Sequence, residues 1–236
     1  MKFSAVTFDL DGTLYPEYRL NLRLLPFILK DNRLLRAMGA ARIQLRESDR
    51  VSGGNPGRVP ESNNGDFYEA QARLMGEILN MPMEEAREKT ERLIYRGWEP
   101  LFKKVKLFPH VRETLEVFRD KGIKLGLLSD FPPEIKLEHL KIGGFWQAVF
   151  SSELTGHLKP HPAPFLELAR RMETPQEQIL YVGNSISYDV VGACNVGMKT
   201  ALIQRRWKKR SFPGIPAASP DFVFHDYRQL CDYVIN

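Results

Sequence analysis

Two aspartates, Asp9 and Asp11, follow the short apolar run at residues 3–8 and precede Gly12. Because the side chains of an extended strand alternate between its two faces, residues two positions apart point into the same space. A charged carboxylate left unpaired beside a buried strand is strongly unfavourable, so each aspartate must be paired, protonated or bound to a metal. Carboxylate oxygens are ligands that Mg²⁺ prefers. The spacing therefore predicts a polar site where the first strand ends, and Gly12 allows the backbone to turn away sharply there.

Polar residues also follow the other apolar strands that the sequence predicts. The predicted strands lie at 123–130, 147–152 and 179–183, and the polar residues at or after their ends are Ser129, Asp130, Lys159, Asn184 and Asp189. Helical patterns separate these strands, which predicts an α/β fold with a doubly wound parallel sheet covered on both faces. Ligands of such sheets bind beyond the carboxyl ends of the strands, so we expect these polar groups to converge on one rim.

The residue types at this rim suit one kind of chemistry. Opposed carboxylates favour Mg²⁺, which binds oxygen ligands and keeps several water molecules. A lysine and a serine nearby favour the oxygens of a phosphoryl group. The sequence thus indicates a small phosphorylated metabolite as the partner.

Four segments, in order, resemble the motifs of the haloacid dehalogenase-like hydrolase superfamily. They are FDLDGTL at the first strand, the strand-ending Ser129, the Lys159–Pro160 pair and VGNSISYD at 182–189. The resemblance implies a catalytic core formed by residues 1–15 and 105–236. It also implies that residues 16–104 form a helical cap of the type inserted after the first strand, with a flexible loop at 48–66.

The resemblance also implies roles for individual residues. Asp9 would be the nucleophile that forms an aspartyl-phosphate, and Asp11 would be the general acid and then the general base. Ser129 and Lys159 would complete the catalytic set by binding the phosphoryl group. The second acid, Asp11, is the residue that separates the phosphatase and phosphomutase branches from the members that cleave carbon–halogen bonds.

Further roles concern substrate and metal. Thr13 and Asp130 would join Ser129 and Lys159 in binding substrate. The residues expected to hold Mg²⁺ are Asp9, Asp11 through its backbone carbonyl, Asn184 and Asp189. Many family members have aspartate at the position of Asn184, and an amide oxygen ligates metal without contributing charge.

These patterns leave alternatives to a Mg²⁺-dependent phosphatase that hydrolyses a small phosphomonoester. A phosphomutase would share every core motif. Asn184 also leaves open a catalytically weakened module that binds phosphate or a protein partner. The basic cluster RRWKKR at 205–210 is the main indication of a nucleic-acid partner, and we interpret it as a solvated loop.

Composition restricts the remaining classes. The 236 residues are 43% hydrophobic and 27% charged with a net charge of +5, which is typical of a globular domain rather than a disordered chain. No apolar run is long enough to span a bilayer, and the N-terminus lacks the apolar block of a signal peptide. With only two cysteines, Cys194 and Cys231, a disulfide framework is not expected, which favours a cytoplasmic location.

Overall fold

The computed structural model describes residues 2–51, 66–204 and 219–236, with the backbone alone for 18–31, 50, 51 and 66. Six parallel strands form one sheet in the order β3-β2-β1-β4-β5-β6. The strands are β1 (Ala5–Phe8), β2 (Lys124–Ser129), β3 (Ala148–Ser151), β4 (Ile179–Gly183), β5 (Lys199–Ile203) and β6 (Phe222–Phe224). The order reverses at β1, whose two neighbours are β2 and β4, and ligands of doubly wound sheets bind at the carboxyl ends of the strands where the order reverses. The predicted doubly wound parallel sheet is confirmed.

Helices cover both faces of the sheet. One face packs against α5 (Val111–Asp120), α6 (Glu134–His139) and α9 (Tyr227–Ile235). The other packs against α7 (Pro162–Arg171) and α8 (Val191–Asn195). Because β1 alternates between the two apolar clusters, with Val6 and Phe8 facing one and Ala5 facing the other, the strand is buried along its whole length.

The regular elements described between β1 and α5 are all helices, and we call residues 17–102 the helical insert. It contains α1 (Glu17–Val51), α2 (Asp66–Leu79), α3 (Met83–Thr90), a π-helical turn (Glu91–Tyr95) and α4 (Glu99–Phe102). Its own apolar cluster is formed mainly by Leu34, Ala37, Met38, Ala41, Met75, Leu79, Ala86 and Ile94. None of its described helices, and none elsewhere in the described chain, is long and apolar enough to cross a membrane.

The first helix of the insert is longer than the sequence predicts. The spacing of apolar residues predicts a helix from about residue 21 to 47, but α1 continues to Val51, so the beginning of the expected loop at 48–66 is helical. The polar side chains of Ser48 and Asp49 do not break the helix, since Ser48 Oγ donates to the Gln44 carbonyl one turn back. The rest of that loop, and the basic cluster at 205–210, lie outside the described residues.

One predicted helix start is wrong. The sequence TPQE at 174–177 predicts a helix that starts with a capping box, because Thr174 precedes Pro175 and Glu177 at the capping spacing, yet a single 3₁₀ turn (Gln176–Gln178) leads directly into β4. Thr174 Oγ1 donates to the Met172 carbonyl instead of accepting from a backbone amide. The short distance between α7 and β4 leaves room for a turn only.

A genuine capping box begins α9. Asp226 accepts a hydrogen bond from the Arg228 amide (2.9 Å), and Gln229 Oε1 accepts one from the Asp226 amide (3.3 Å). We expect Asp226→Ala to lower the free energy of unfolding by about 1 kcal/mol, because it leaves helix amides without partners. Urea unfolding followed by circular dichroism measures this.

Asp226→Asn is the matched control, because asparagine caps as well as aspartate and should cost only a few tenths of a kcal/mol. An asparagine variant as unstable as the alanine variant would show that the ion pair of Asp226 with Arg228, and not the cap, provides the stabilisation.

Candidate active site

The polar residues expected at the strand ends lie together at the carboxyl ends of the three central strands. Asp9 follows β1 directly, Ser129 is the last residue of β2, and Asn184 follows β4. Since β2 and β4 flank β1, the ends of these three adjacent strands bring their polar residues together. Asp9 and Ser129 are buried there, at 5% and 0% exposure.

Lys159 joins two carboxylates across this rim. Its Nζ lies 2.7 Å from Asp9 Oδ1 and 2.7 Å from Asp189 Oδ1, and all three side chains are almost fully buried. Burial alone would lower the pKa of Lys159, but the charges of Asp189 and Asp9 outweigh it and hold that pKa well above the usual range. The lysine is therefore a fixed positive charge at the end of β1.

Asp9 has a polar partner on each oxygen. Besides Lys159 on Oδ1, Thr13 Oγ1 donates to Oδ2 at 2.7 Å. Burial raises the pKa of Asp9 to about 7, Lys159 lowers it, and the neighbouring carboxylates of Asp189 and Asp11 raise it. Further positive charge at the site would therefore favour the ionised carboxylate at neutral pH.

Asp189 lies in a π-helical turn (Ile186–Val190) that follows β4 and turns its side chain inward. Its Oδ2 accepts from the backbone amides of Asn184 (3.1 Å) and Ser185 (3.0 Å). Gly183 makes this possible, because a Cβ there would collide with the Asp189 side chain. Asp189 thus fixes the loop after β4 and the position of Lys159 at once.

Asn184 lies over the turn after β1. Gly12 has a φ of 85°, and a Cβ at that position would collide with the Asn184 side chain, so glycine is required for both conformation and space. The carboxylate of Glu17 is also close to Gly12. Burial and then the Asp11 carboxylate raise the pKa of Glu17, whereas the Asn184 amide lowers it. Sequence reasoning missed Glu17, since nothing in its spacing links it to residue 184.

Asp11 has a different set of partners from Asp9. Lys136 Nζ contacts both of its oxygens, at 2.6 Å and 2.8 Å, and the Tyr15 hydroxyl donates to Oδ1. Ser129 Oγ lies 3.4 Å from Oδ2. Sequence reasoning missed Lys136 and the contact of Tyr15. The available signal was that Lys136 precedes Leu140 by one helical turn, so it occupies the apolar face of α6.

Asp130, expected to bind substrate, is fully engaged with protein groups. Its Oδ1 accepts from Ser152 Oγ (2.7 Å) and the Lys159 amide (3.2 Å), and its Oδ2 pairs with Arg46 (2.7 Å). Burial alone would raise the pKa of Asp130, but Lys159, Arg46 and Arg42 outweigh it and lower that pKa. This carboxylate holds the Lys159 loop and connects it to α1.

The helical insert contacts the core through buried polar groups. Arg42 of α1 pairs with Glu153 at 2.6 Å, and Glu153 is fully buried in the turn after β3. The hydroxyls of Tyr95 (2.7 Å) and Tyr68 (3.1 Å) also donate to Glu153. One carboxylate of the core thus binds three elements of the insert.

We expect Glu153→Gln to lower the free energy of unfolding by about 3 kcal/mol, because the buried Arg42 guanidinium loses its counter-charge. The double variant Arg42→Met/Glu153→Gln should lose less than the sum of the two single variants. Urea unfolding of the four proteins measures this coupling.

Glu69→Gln is the matched control, since Glu69 forms an exposed pair with Arg73 in α2. Its effect should stay below about 0.5 kcal/mol. Additive losses at Arg42 and Glu153 would contradict a direct interaction between them.

We compared the chain with known protein families, curated proteins and solved structures. The model of the haloacid dehalogenase-like hydrolases matches residues 3–197. Glyceraldehyde 3-phosphate phosphatase of Methanopyrus kandleri is 35% identical over 136 residues, which cover 56% of this chain and 58% of that protein. Phosphoglycolate phosphatase of Haemophilus influenzae is 31% identical over 150 residues, which cover 62% of this chain and 65% of that protein.

These matches span less than two thirds of the length of either relative. Among solved structures, the HAD phosphatase from Thermococcus onnurineus superposes with a TM-score of 0.63 at 24% identity, covering 98% of both chains. That likeness concerns the fold. The family match covers most of the sequence and all of the strand-end residues described above. The chain belongs to the haloacid dehalogenase-like hydrolase family.

Proposed function

We propose that this protein is a Mg²⁺-dependent phosphatase that hydrolyses a small phosphomonoester through an aspartyl-phosphate on Asp9. The observation that carries the proposal is the division of partners between two neighbouring carboxylates. Asp9 is buried against Lys159 and Thr13, whereas Asp11 is more exposed and faces Lys136 and Tyr15. This division supports attack by one carboxylate and proton transfer by the other.

The reaction proceeds in two half-reactions. An Asp9 oxygen attacks phosphorus, the bond from phosphorus to the ester oxygen breaks, and Asp11 donates its proton to that leaving oxygen. A water molecule then attacks the phosphorus of the aspartyl-phosphate while Asp11 takes the water proton, and the bond to Asp9 breaks. Lys159 and Ser129 stabilise the charge on the phosphoryl oxygens in both steps.

The residues at the rim fit Mg²⁺ in the chemistry of their donors. They offer the carboxylate oxygens of Asp9 and Asp189, the amide oxygen of Asn184 and the backbone carbonyl of Asp11, all of which are hard oxygen ligands. No set of three or more His, Cys, Asp or Glu side chains in the described ranges is arranged to hold a metal, so the proposed set depends on the amide and the carbonyl. When bound, Mg²⁺ would neutralise phosphoryl charge.

The substrate class follows from the same charges. Two cationic side chains, Lys159 and Lys136, lie at the carboxylates of the rim and favour a small anionic ester. The names of the two relatives, which refer to phosphoglycolate and glyceraldehyde 3-phosphate, support this class. In this proposal the helical insert acts as the cap that covers the leaving group, and Arg42 and Arg46 hold it against the core.

We expect Asp9→Asn to lower phosphate release from 4-nitrophenyl phosphate by about 10³-fold or more, because the amide cannot form the acyl phosphate. Release is measured in the presence of excess Mg²⁺. Asp120→Asn, an exposed change far from the rim, is the matched control and should keep wild-type turnover. Full activity in Asp9→Asn would exclude the mechanism.

We expect Asn184→Asp to lower the Mg²⁺ concentration for half-maximal effect about tenfold, because a charged ligand replaces a neutral one. Without metal the same change should lower the melting temperature, since the new carboxylate faces Glu17. Thermal unfolding with and without MgCl₂ measures both effects independently of turnover. An unchanged response to Mg²⁺ would exclude residue 184 from the metal site.

A further inference from the structure

We propose that Lys136 is a positioning residue that holds Asp11 for proton transfer to the leaving group. This inference rests on the proposed function, because it assigns a role within the proton-transfer step. It concerns a residue outside the four sequence motifs, on the helix that follows β2.

The contact of Lys136 with Asp11 is close and two-fold. Its Nζ lies within hydrogen-bond distance of both carboxylate oxygens, and its side chain is only 7% exposed. A buried ammonium group is strongly unfavourable unless it is paired, so Lys136 is not free to serve as a solvated surface charge. The hydroxyl of Tyr15, the residue that follows the FDLDGTL segment, also donates to this carboxylate.

Aromatic rings fix the lysine in this place. Nζ lies 5.2 Å from the ring centre of Phe102 and 5.5 Å from that of Phe131. Phe102 belongs to α4 of the helical insert and Phe131 to the loop after β2, so the ammonium is held between the insert and the core. Both rings favour a cation at this distance. Asp11 is therefore paired with a cation that is held where the insert meets the core.

The two lysines of the rim have separate tasks. Lys159 binds Asp9 and Asp189, whereas the hydrogen bonds of Lys136 within the described residues go to Asp11. Lys136 thus acts on the residue that moves protons and not on the nucleophile. In the first half-reaction Asp11 becomes a carboxylate as the leaving oxygen gains its proton, and Lys136 stabilises the negative charge that develops on that carboxylate.

This role predicts a dependence on the leaving group. An alkoxide leaving group needs its proton during bond cleavage, whereas 4-nitrophenolate leaves well without one. The experiment compares kcat/KM, which reports the first half-reaction, for 4-nitrophenyl phosphate, phenyl phosphate and an alkyl phosphate such as glycerol 3-phosphate. These are measured on wild type, Lys136→Met and Lys136→Arg.

For Lys136→Met we expect kcat/KM to fall about tenfold or more for phenyl and alkyl phosphates, and less than about threefold for 4-nitrophenyl phosphate. Lys136→Arg keeps the positive charge but moves the donor groups, so its kcat/KM for these esters should lie between those of wild type and Lys136→Met. It also provides the test if the methionine variant does not fold. An equal loss for all three esters, or no loss, would overturn the role.

Lys124→Met is the matched control, because Lys124 is a half-buried lysine at the start of β2, away from the rim, and donates to the carbonyls of Met172 and Glu173. Its leaving-group dependence should match that of wild type, and an altered one would overturn the assignment to Lys136. Absence of phosphate release by wild type from every ester would remove the proposed function and this inference with it. Wild-type turnover with an unaltered dependence in both Lys136 variants would remove this inference alone.

Discussion

The architecture of the rim depends on a buried group of three charges, the ammonium of Lys159 between the carboxylates of Asp9 and Asp189. Removing three charges from water is costly, and their mutual attraction compensates only if the geometry is good and the remaining oxygens have donors. The chain satisfies both requirements. Thr13 occupies the second oxygen of Asp9, and two backbone amides occupy that of Asp189. The tight turn after β1 and the glycine that ends β4 provide the space in which this arrangement fits.

Asp9 and Asp11, the two carboxylates that follow β1, have different surroundings because of the tertiary structure. Both residues follow β1, yet one meets the Lys159 loop and the other meets α6. Two carboxylates in the same environment would compete for one proton. Separate lysines give each a distinct electrostatic surrounding, which is the condition under which two like residues take unlike roles.

Much of the fold could be predicted, because apolar strands separated by helical patterns leave few alternatives to a parallel sheet. The convergence of Asp9, Ser129 and Asn184 followed from that fold, since adjacent parallel strands end at the same edge. Lys136 and Glu153 could not be assigned in the same way. The spacing of Lys136 to Leu140 indicates the apolar face of α6, but no local pattern identifies the partners of Lys136 and Glu153, Asp11 and Arg42, which lie far away in the sequence. The helix start predicted at Thr174 was wrong for a related reason, because the short connection between α7 and β4 leaves no room for a helix there.

The docking of α1 has a consequence for communication within the molecule. Arg46 binds the Asp130 carboxylate and also donates to the backbone carbonyl of Lys159. Its guanidinium therefore contacts the peptide that carries the central cation of the rim. A ligand that stabilises the observed conformation of this peptide also stabilises the docked position of α1. By thermodynamic reciprocity, docking of α1 increases the affinity for that ligand by the same free energy. A single arginine thus couples occupancy of the rim to the docking of α1.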